Sequence, residues 1–160
     1  MSSVPTDTIV LAAGGTGGHI FPAEALAEEL LARGNKVVLV TDKRFQGYGG
    51  VLGDIEIFTI RAGRMARGVA GKALAVGDIA VGMMQARRIL KRLKPRAVVG
   101  FGGYPSFPTM YAAASMGLPT VIHEQNAVLG RANRMLAARV QAIATSFEET
   151  SLLADSEKGK

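Results

Sequence analysis

This chain of 160 residues contains no cysteine and no tryptophan. Without cysteine, disulfides and thiolate–metal sites are excluded, which suits a protein of a reducing compartment. No uninterrupted apolar run approaches the roughly 20 residues that a membrane-spanning helix requires, and the first residues lack the basic and apolar regions of a signal peptide. We therefore expect a soluble or peripheral protein with one domain, large enough to bury a core.

Acidic residues are scarce in one segment. Residues 61–96 contain ten Lys or Arg and a single acid, Asp78, whereas the rest of the chain has nine basic and twelve acidic residues. This segment alone makes the chain basic, so it could face nucleic acid, an anionic membrane or an anionic substrate. It also has no aromatic residue on which bases could stack, and we expect no nucleic-acid partner.

Apolar, β-branched runs alternate with helical patterns along the chain. This alternation predicts an α/β fold, a Rossmann-like parallel sheet with helices on both faces. One domain is expected over residues 1–150, followed by a tail over residues 151–160. The predicted strands lie at 8–13, 36–41, 55–60, 96–100, 119–123 and 141–145, and the predicted helices at 20–33, 72–93, 107–116 and 128–138.

Three polar or glycine-rich loops follow predicted strands. The first is Gly14-Gly15-Thr16-Gly17-Gly18-His19, the second is Gly100-Phe-Gly-Gly-Tyr-Pro-Ser-Phe-Pro108, and the third is His123-Glu-Gln-Asn126. All three should share one edge of a parallel sheet, where α/β proteins bind ligands. Two glycine loops that open helices provide free N–H groups and two positive dipole ends, which suits a diphosphate. The simpler interpretation of each loop is a tight strand-to-helix turn.

A dinucleotide-binding domain is the main competing interpretation. The G-x-G-x-x-G pattern is missing, although Asp42 stands at the end of the second strand, where a ribose-binding acid would lie. An acid at such a position is more often a solvated turn residue. The first loop also lacks the lysine of a nucleoside-triphosphate P-loop.

The candidate chemical residues each have two interpretations. His19 could act as a general base, or it could pack at the helix start or donate a hydrogen bond to phosphate. Glu124 and Asn126 could bind sugar hydroxyls, or they could stabilise their own loop and cap the following helix. His123, at the end of an apolar strand, is expected to be a buried structural residue.

The helix predicted at 72–93 has an apolar first half and a cationic second half. Packing against the sheet explains its apolar positions, but not the cations that cluster with Arg61, Arg64 and Arg67. Apolar residues beside Lys and Arg are typical of a membrane-surface patch. We call the following residues the membrane patch: Leu74, Val76, Ile79, Met83, Met84, Arg87, Arg88, Lys91 and Arg92.

The three loops, in this order and spacing, resemble the MurG family of N-acetylglucosaminyltransferases, which convert lipid I to lipid II in peptidoglycan synthesis. The resemblance extends from about Ile9 to Glu149. It implies the N-terminal, acceptor-binding half of a GT-B glycosyltransferase, with most of the UDP-N-acetylglucosamine site in a C-terminal domain that this chain does not include. The implied partners are UDP-N-acetylglucosamine, lipid I and the anionic cytoplasmic face of the bacterial inner membrane, with no cofactor and no metal.

The resemblance also implies roles for individual residues. His19 would be the catalytic candidate, as the base or as a residue that orients the acceptor. Glu124 and Asn126 would face the sugars, together with Thr16, Gly17 and Gly18. No chemistry is attached to Phe101, Pro105 and Phe107, where the family varies. The acceptor diphosphate would lie against Gly14, Gly15, Thr16, Gly17, Gly18, Gly102, Gly103 and Tyr104.

Two alternatives stay open at this point. A module that binds a diphosphate and a membrane without catalysis would have the same loops and the same patch. A nucleotide-dependent oxidoreductase domain is the other alternative, and binding of NAD(H) would reveal it.

Overall fold

The computed structural model describes residues 7–45, 47, 50–63 and 68–153. Arg64, Arg67 and most of the predicted tail lie outside these residues. The strands are β1 (Thr8–Ala12), β2 (Lys36–Thr41), β3 (Glu56–Thr59), β4 (Ala97–Gly100), β5 (Thr120–Glu124) and β6 (Ala142–Thr145). The helices are α1 (Gly17–Ala32), α2 (Gly68–Leu93), α3 (Ser106–Ser115) and α4 (Arg131–Leu136), with a short 3-10 turn at Val51–Gly53.

The six strands form one parallel sheet in the order β3-β2-β1-β4-β5-β6. The chain runs outward from β1 to β3 and then crosses back to place β4 on the other side of β1. The point where the strand order reverses therefore lies between β1 and β4, the position at which open parallel sheets bind ligands.

Two apolar cores cover the two faces of the sheet. On one face, Ile20 and Ala27 of α1 pack with Leu11 and Leu39 of the central strands. On the other face, α2, α3 and α4 cover the sheet, with Leu90, Met110 and Leu136 among the fully buried side chains. The predicted Rossmann-like parallel sheet with helices on both faces is confirmed.

Helix ends differ from the prediction more than strand ends do. Each predicted strand end lies within one residue of the observed one, but α1 begins at Gly17 and α2 at Gly68, three and four residues earlier than predicted. The prediction for α4 is wrong at both ends, since the helix covers Arg131–Leu136 and not 128–138. Val128 instead forms a parallel bridge with Ser151, which draws this stretch away from a helical path.

Candidate functional site

The two glycine loops emerge side by side from the reversal point of the sheet. We call residues 13–18 the first glycine loop and residues 101–105 the second. The Phe101 N–H donates to the Ala12 carbonyl at 2.9 Å. The Thr41 hydroxyl donates to the Ala13 carbonyl at 2.9 Å, which ties the first loop to the end of β2. From here the first loop leads into α1 on one face of the sheet, and the second leads into α3 on the other.

Several of the glycines are required by close packing or by backbone conformation. A Cβ at Gly15 would lie 3.1 Å from the backbone after β2. A Cβ at Gly17 would lie 2.9 Å from the ring of Phe21, but that side chain is exposed, so this contact alone does not require glycine. Gly102 and Gly103 have φ angles of 85° and 76°, in the left-handed region that favours glycine. No atom lies within 4 Å of a Cβ built at Gly18, so packing does not explain that glycine.

Both helices that follow these loops begin without a side-chain cap. Thr16 precedes α1 in an extended conformation, and its hydroxyl makes no capping hydrogen bond. Pro105 precedes α3 and also provides none. Both helices begin at the same edge of the sheet, so the positive ends of their dipoles favour a bound anion there. The expectation of free N–H groups at both starts is wrong for α3, because the Ser106 and Phe107 N–H groups donate to the Gly103 and Tyr104 carbonyls at 3.2 and 3.3 Å.

His19 lies between the two glycine loops. A Cβ built at Gly14 would lie 3.4 Å from the His19 ring, and one built at Gly103 would lie 3.1 Å from it. The distance at Gly14 is an ordinary van der Waals contact, whereas the shorter distance at Gly103, together with its positive φ, favours glycine there. A cavity of about 230 Å³ opens beside the ring and is lined by Gly102, Gly103, Tyr104 and Asn126, among others. The structure thus brings together His19 and residues of all three loops that the sequence singled out.

Gln125 is the residue that sequence reasoning missed. Its side-chain nitrogen lies 2.6 Å from His19 Nδ1, 3.0 Å from the Gly18 carbonyl oxygen and 2.9 Å from the Phe101 carbonyl oxygen. It therefore joins both glycine loops and the histidine from the third loop. A glutamine between two candidate residues carries no local signal of such a contact, because its partners lie far away in the sequence.

Glu124 organises the third loop. It is 2% exposed, and each of its carboxylate oxygens accepts two hydrogen bonds. One oxygen binds the backbone and side-chain N–H groups of Asn126 at 3.0 and 2.8 Å. The other binds the Gly130 N–H at 2.8 Å and the Asn133 amide at 2.9 Å. This is the loop-stabilising alternative of the sequence analysis, and a contact of Glu124 with a sugar stays a prediction.

The four donors determine the ionisation of Glu124. Burial raises its pKa, but the hydrogen bonds from Gly130, Asn133 and Asn126 outweigh burial and hold the pKa below the ordinary value of 4.5. Glu124 is therefore a carboxylate at neutral pH. Asn126, in contrast, is exposed and lines the cavity, so a sugar bound there could reach it, and its contact with a sugar stays a prediction.

A larger cavity lies at the ends of β2 and β3. It has a volume of about 570 Å³, and its lining includes Asp42, Arg44, Arg61 and Asp78. The position proposed for a ribose-binding acid is occupied by an ion pair, because Asp42 binds Arg44 at 2.5 Å. Among the described residues, no group of His, Asp or Glu is placed to hold a metal ion.

The membrane patch on α2 divides into exposed and packed members. Leu74, Val76 and Met84 are 74%, 67% and 54% exposed. Ile79 is only half-exposed because it packs beside Gly63. Arg92 forms an ion pair with Glu56 at 3.1 Å and lies over the Phe58 ring. Arg87, Arg88 and Lys91 are exposed and form no ion pair with another described residue, and we call them the free cations of the patch.

By length and composition alone, α2 could cross a membrane, although no such helix was predicted from the apolar runs of the sequence. Its second half is nevertheless packed into the protein, with Gly82, Ala86 and Leu90 buried. A helix with one side in the core and an exposed apolar and basic side is typical of a membrane-surface contact.

The comparisons of this chain with known proteins agree with one another. The family described as "Glycosyltransferase family 28 N-terminal domain" matches residues 9–145. A Rhodospirillum centenum protein named UDP-N-acetylglucosamine--N-acetylmuramyl-(pentapeptide) pyrophosphoryl-undecaprenol N-acetylglucosamine transferase is 58% identical over 149 residues, which cover 93% of this chain and 38% of that protein. A Paramagnetospirillum magneticum protein of the same name is 60% identical over 144 residues, covering 89% and 39%. The chain thus spans less than two fifths of the length of these relatives.

Solved structures agree on the fold. The crystal structure of Acinetobacter baumannii MurG is 35% identical, has a TM-score of 0.75, and is matched over 91% of this chain and 43% of that one. The calicheamicin glycosyltransferase CalG4 is 19% identical with a TM-score of 0.56, over 76% and 33% of the two chains. This second likeness concerns the fold alone.

Proposed function

We propose, since this chain belongs to the glycosyltransferase family 28 N-terminal domain family, that it is the acceptor-binding half of an inverting glycosyltransferase. The transferred group is N-acetylglucosamine from UDP-N-acetylglucosamine. The acceptor is the C4 hydroxyl of undecaprenyl-pyrophosphoryl-N-acetylmuramyl-pentapeptide, so that lipid I becomes lipid II. The supporting observation is the meeting of two uncapped helix starts and His19 at the reversal point of the sheet.

The acceptor diphosphate fits the two glycine loops. Each helix start favours negative charge by about 0.3–1 kcal/mol at an exposed site, and a diphosphate has enough oxygens to contact both loops. Thr16 and Gly18 of the first loop and Tyr104 of the second are exposed, so backbone and hydroxyl donors can reach the ligand. The sugar of the acceptor would then extend into the cavity beside His19 and Asn126.

The transfer joins the C4 oxygen of the acceptor to the anomeric carbon of the donor while the bond from that carbon to the UDP phosphate oxygen breaks. The hydroxyl proton leaves to a base, and the oxygen of UDP keeps the electron pair. Two roles fit the position of His19: it takes that proton, or it donates a hydrogen bond to an acceptor oxygen. Most of the donor site would belong to a C-terminal domain.

The membrane patch on α2 would hold the domain at the anionic cytoplasmic face of the membrane, where the undecaprenyl chain of the acceptor lies. Each cation near such a surface contributes about 1 kcal/mol. The exposed Leu74, Val76 and Met84 would enter the interface beside those cations.

A chimera tests the proposal. This chain is joined to the remaining part of the Rhodospirillum centenum relative, and transfer of labelled N-acetylglucosamine to the lipid acceptor is measured. We expect transfer by the chimera, and acceptor binding without transfer by residues 1–160 alone. In the chimera, His19→Ala should lower mainly kcat, and wild-type turnover in that variant would remove His19 from the mechanism.

Two results would contradict the proposal. Transfer by residues 1–160 alone would refute the two-domain interpretation, and tight binding of NAD(H) would favour the oxidoreductase alternative. The parent relative, assayed in parallel, shows that the acceptor preparation is competent.

A further inference from the structure

The side chain of Gln125 faces three hydrogen-bond acceptors with one nitrogen. The Gly18 and Phe101 carbonyl oxygens lie 3.0 and 2.9 Å from its amide nitrogen, and His19 Nδ1 lies 2.6 Å from it. An amide nitrogen has two hydrogens, so one of them is shared between two of these acceptors.

The two carbonyls determine the orientation of the amide. A backbone carbonyl oxygen only accepts hydrogen bonds, so the NH₂ group and not the amide oxygen must face Gly18 and Phe101. With the amide reversed, its oxygen would meet two carbonyl oxygens. The group beside His19 Nδ1 is therefore a donor, and Nδ1 must be the acceptor.

We infer that Gln125 is a positioning residue that holds neutral His19 with its proton on Nε2. A neutral imidazole has one N–H, and the hydrogen bond made by one ring nitrogen selects the position of that proton. Nε2 lies on the side of Gly103, 3.4 Å from a Cβ built there, where the cavity opens. His19 therefore presents a donor, not a lone pair, to a ligand in the cavity.

The loop around Gln125 is built to keep this geometry. Its two neighbours in the chain are Glu124, which is buried, and Asn126, which binds the Glu124 carboxylate through both backbone and side chain. The carboxylate also binds the Gly130 N–H at the start of α4. Gln125 is thus held on both sides, which fixes its amide against the two glycine loops.

This inference deepens the proposed function, and rests on it only for the identity of the bound oxygen. An Nε2 that already carries a proton cannot take another from the acceptor hydroxyl. In the neutral state, His19 instead adds an N–H donor to the two helix starts that face a diphosphate or an acceptor oxygen. A group other than His19 Nε2 must then accept the proton that the hydroxyl releases in the transfer.

Nitrogen NMR of the ¹⁵N-labelled chain tests the inference without any activity measurement. The chain has only two histidines, His19 and His123, and a His123→Phe variant assigns their signals. At a pH where the rings are neutral, we expect His19 to show a protonated Nε2 and an unprotonated Nδ1. A protonated Nδ1 with a bare Nε2 in the wild-type chain would overturn the inference.

A matched variant separates the effect of Gln125 from that of the fold. Gln125→Met keeps the length of the side chain but removes its donors, so the His19 signals should move toward a mixture of both tautomers, with His123 unchanged. Unchanged His19 signals in a folded variant would refute the role of Gln125. If the variant does not fold, the wild-type spectrum alone decides.

Binding of inorganic pyrophosphate tests whether the Nε2–H group of His19 contacts an anion. We expect it to shift the His19 Nε2–H resonance of the wild-type chain, and the absence of a shift at saturating pyrophosphate would contradict an anion-binding role. A failed transfer assay would refute the proposed function while leaving the tautomer result intact, so the two can fail separately.

Discussion

The substitution Glu124→Gln tests how much the third loop depends on a single carboxylate. In the variant, an NH₂ group replaces one carboxylate oxygen. An NH₂ group cannot accept hydrogen bonds, so two donors lose their acceptor, for example the Gly130 N–H and the Asn133 amide. Hydrogen bonds to a charged group contribute about 1.5–3 kcal/mol each. Loss of two predicts a destabilisation of about 3–6 kcal/mol, a large part of the roughly 5–15 kcal/mol that stabilises an ordinary domain.

Urea unfolding followed by circular dichroism measures this loss at neutral pH. Glu28→Gln is the matched control, because Glu28 is exposed on α1 and an exposed substitution should change stability by less than about 0.5 kcal/mol. A Glu124→Gln variant as stable as this control would refute the reasoning.

The pH dependence gives a second check on Glu124. Its pKa in the folded chain is lowered from the ordinary value of 4.5. The ionised carboxylate therefore contributes to the free energy of unfolding in full above that value, and this contribution is lost as pH falls through the folded pKa. The stability difference between wild type and Glu124→Gln should therefore narrow in acid. A difference that stays constant from neutral pH to well below 4.5 would show that the charge is not its cause.

Two further predictions concern α2. A Cβ at Gly82 would lie 1.8 Å from the Arg61 carbonyl oxygen, so Gly82→Ala should lower the free energy of unfolding by about 1–3 kcal/mol through overpacking. A Cβ at Gly77 on the same helix would meet open space, so Gly77→Ala should raise the free energy of unfolding by up to about 1 kcal/mol. Urea unfolding measures both variants, and equal effects of the two substitutions would contradict the close contact at Gly82. Reversal to Glu of the three free cations of the membrane patch should weaken binding to phosphatidylglycerol vesicles by at least about 3 kcal/mol, or more than about 100-fold. Cosedimentation measures this loss, zwitterionic vesicles are the control, and unchanged binding would mean that these cations are only a solvated helix face.

Much of the fold could be predicted because its signals are local. Buried parallel strands are runs of β-branched and apolar residues, and Gly34 and Gly117, both with positive φ, mark the ends of α1 and α3. Strand positions were therefore predicted closely. The fold of the N-terminal half of a GT-B glycosyltransferase was implied by the resemblance of the three loops to the MurG family, and it is confirmed. The glycine loops were recognised for the same reason, since turn chemistry depends on neighbouring residues.

The ends of α4 could not be predicted, because distant residues determine them. The pattern of residues 128–138 favours a helix, yet Val128 pairs with Ser151 and the Leu129 N–H donates to the Ser151 carbonyl at 2.9 Å. Glu124 accepts from Gly130 and so ends the loop at that residue. Hydrogen bonds between distant parts of the chain outweighed the local helical preference.

The sequence by itself determined the strands, the two glycine loops and the presence of His19 at the start of α1. Only the tertiary structure decided the state of that histidine, because its partner Gln125 lies 106 residues further along the chain. The parallel register of β1, β4 and β5 brings the two together at one edge of the sheet. Hydrogen-bond donors and acceptors are paired by distance in space, which no periodicity or turn pattern encodes.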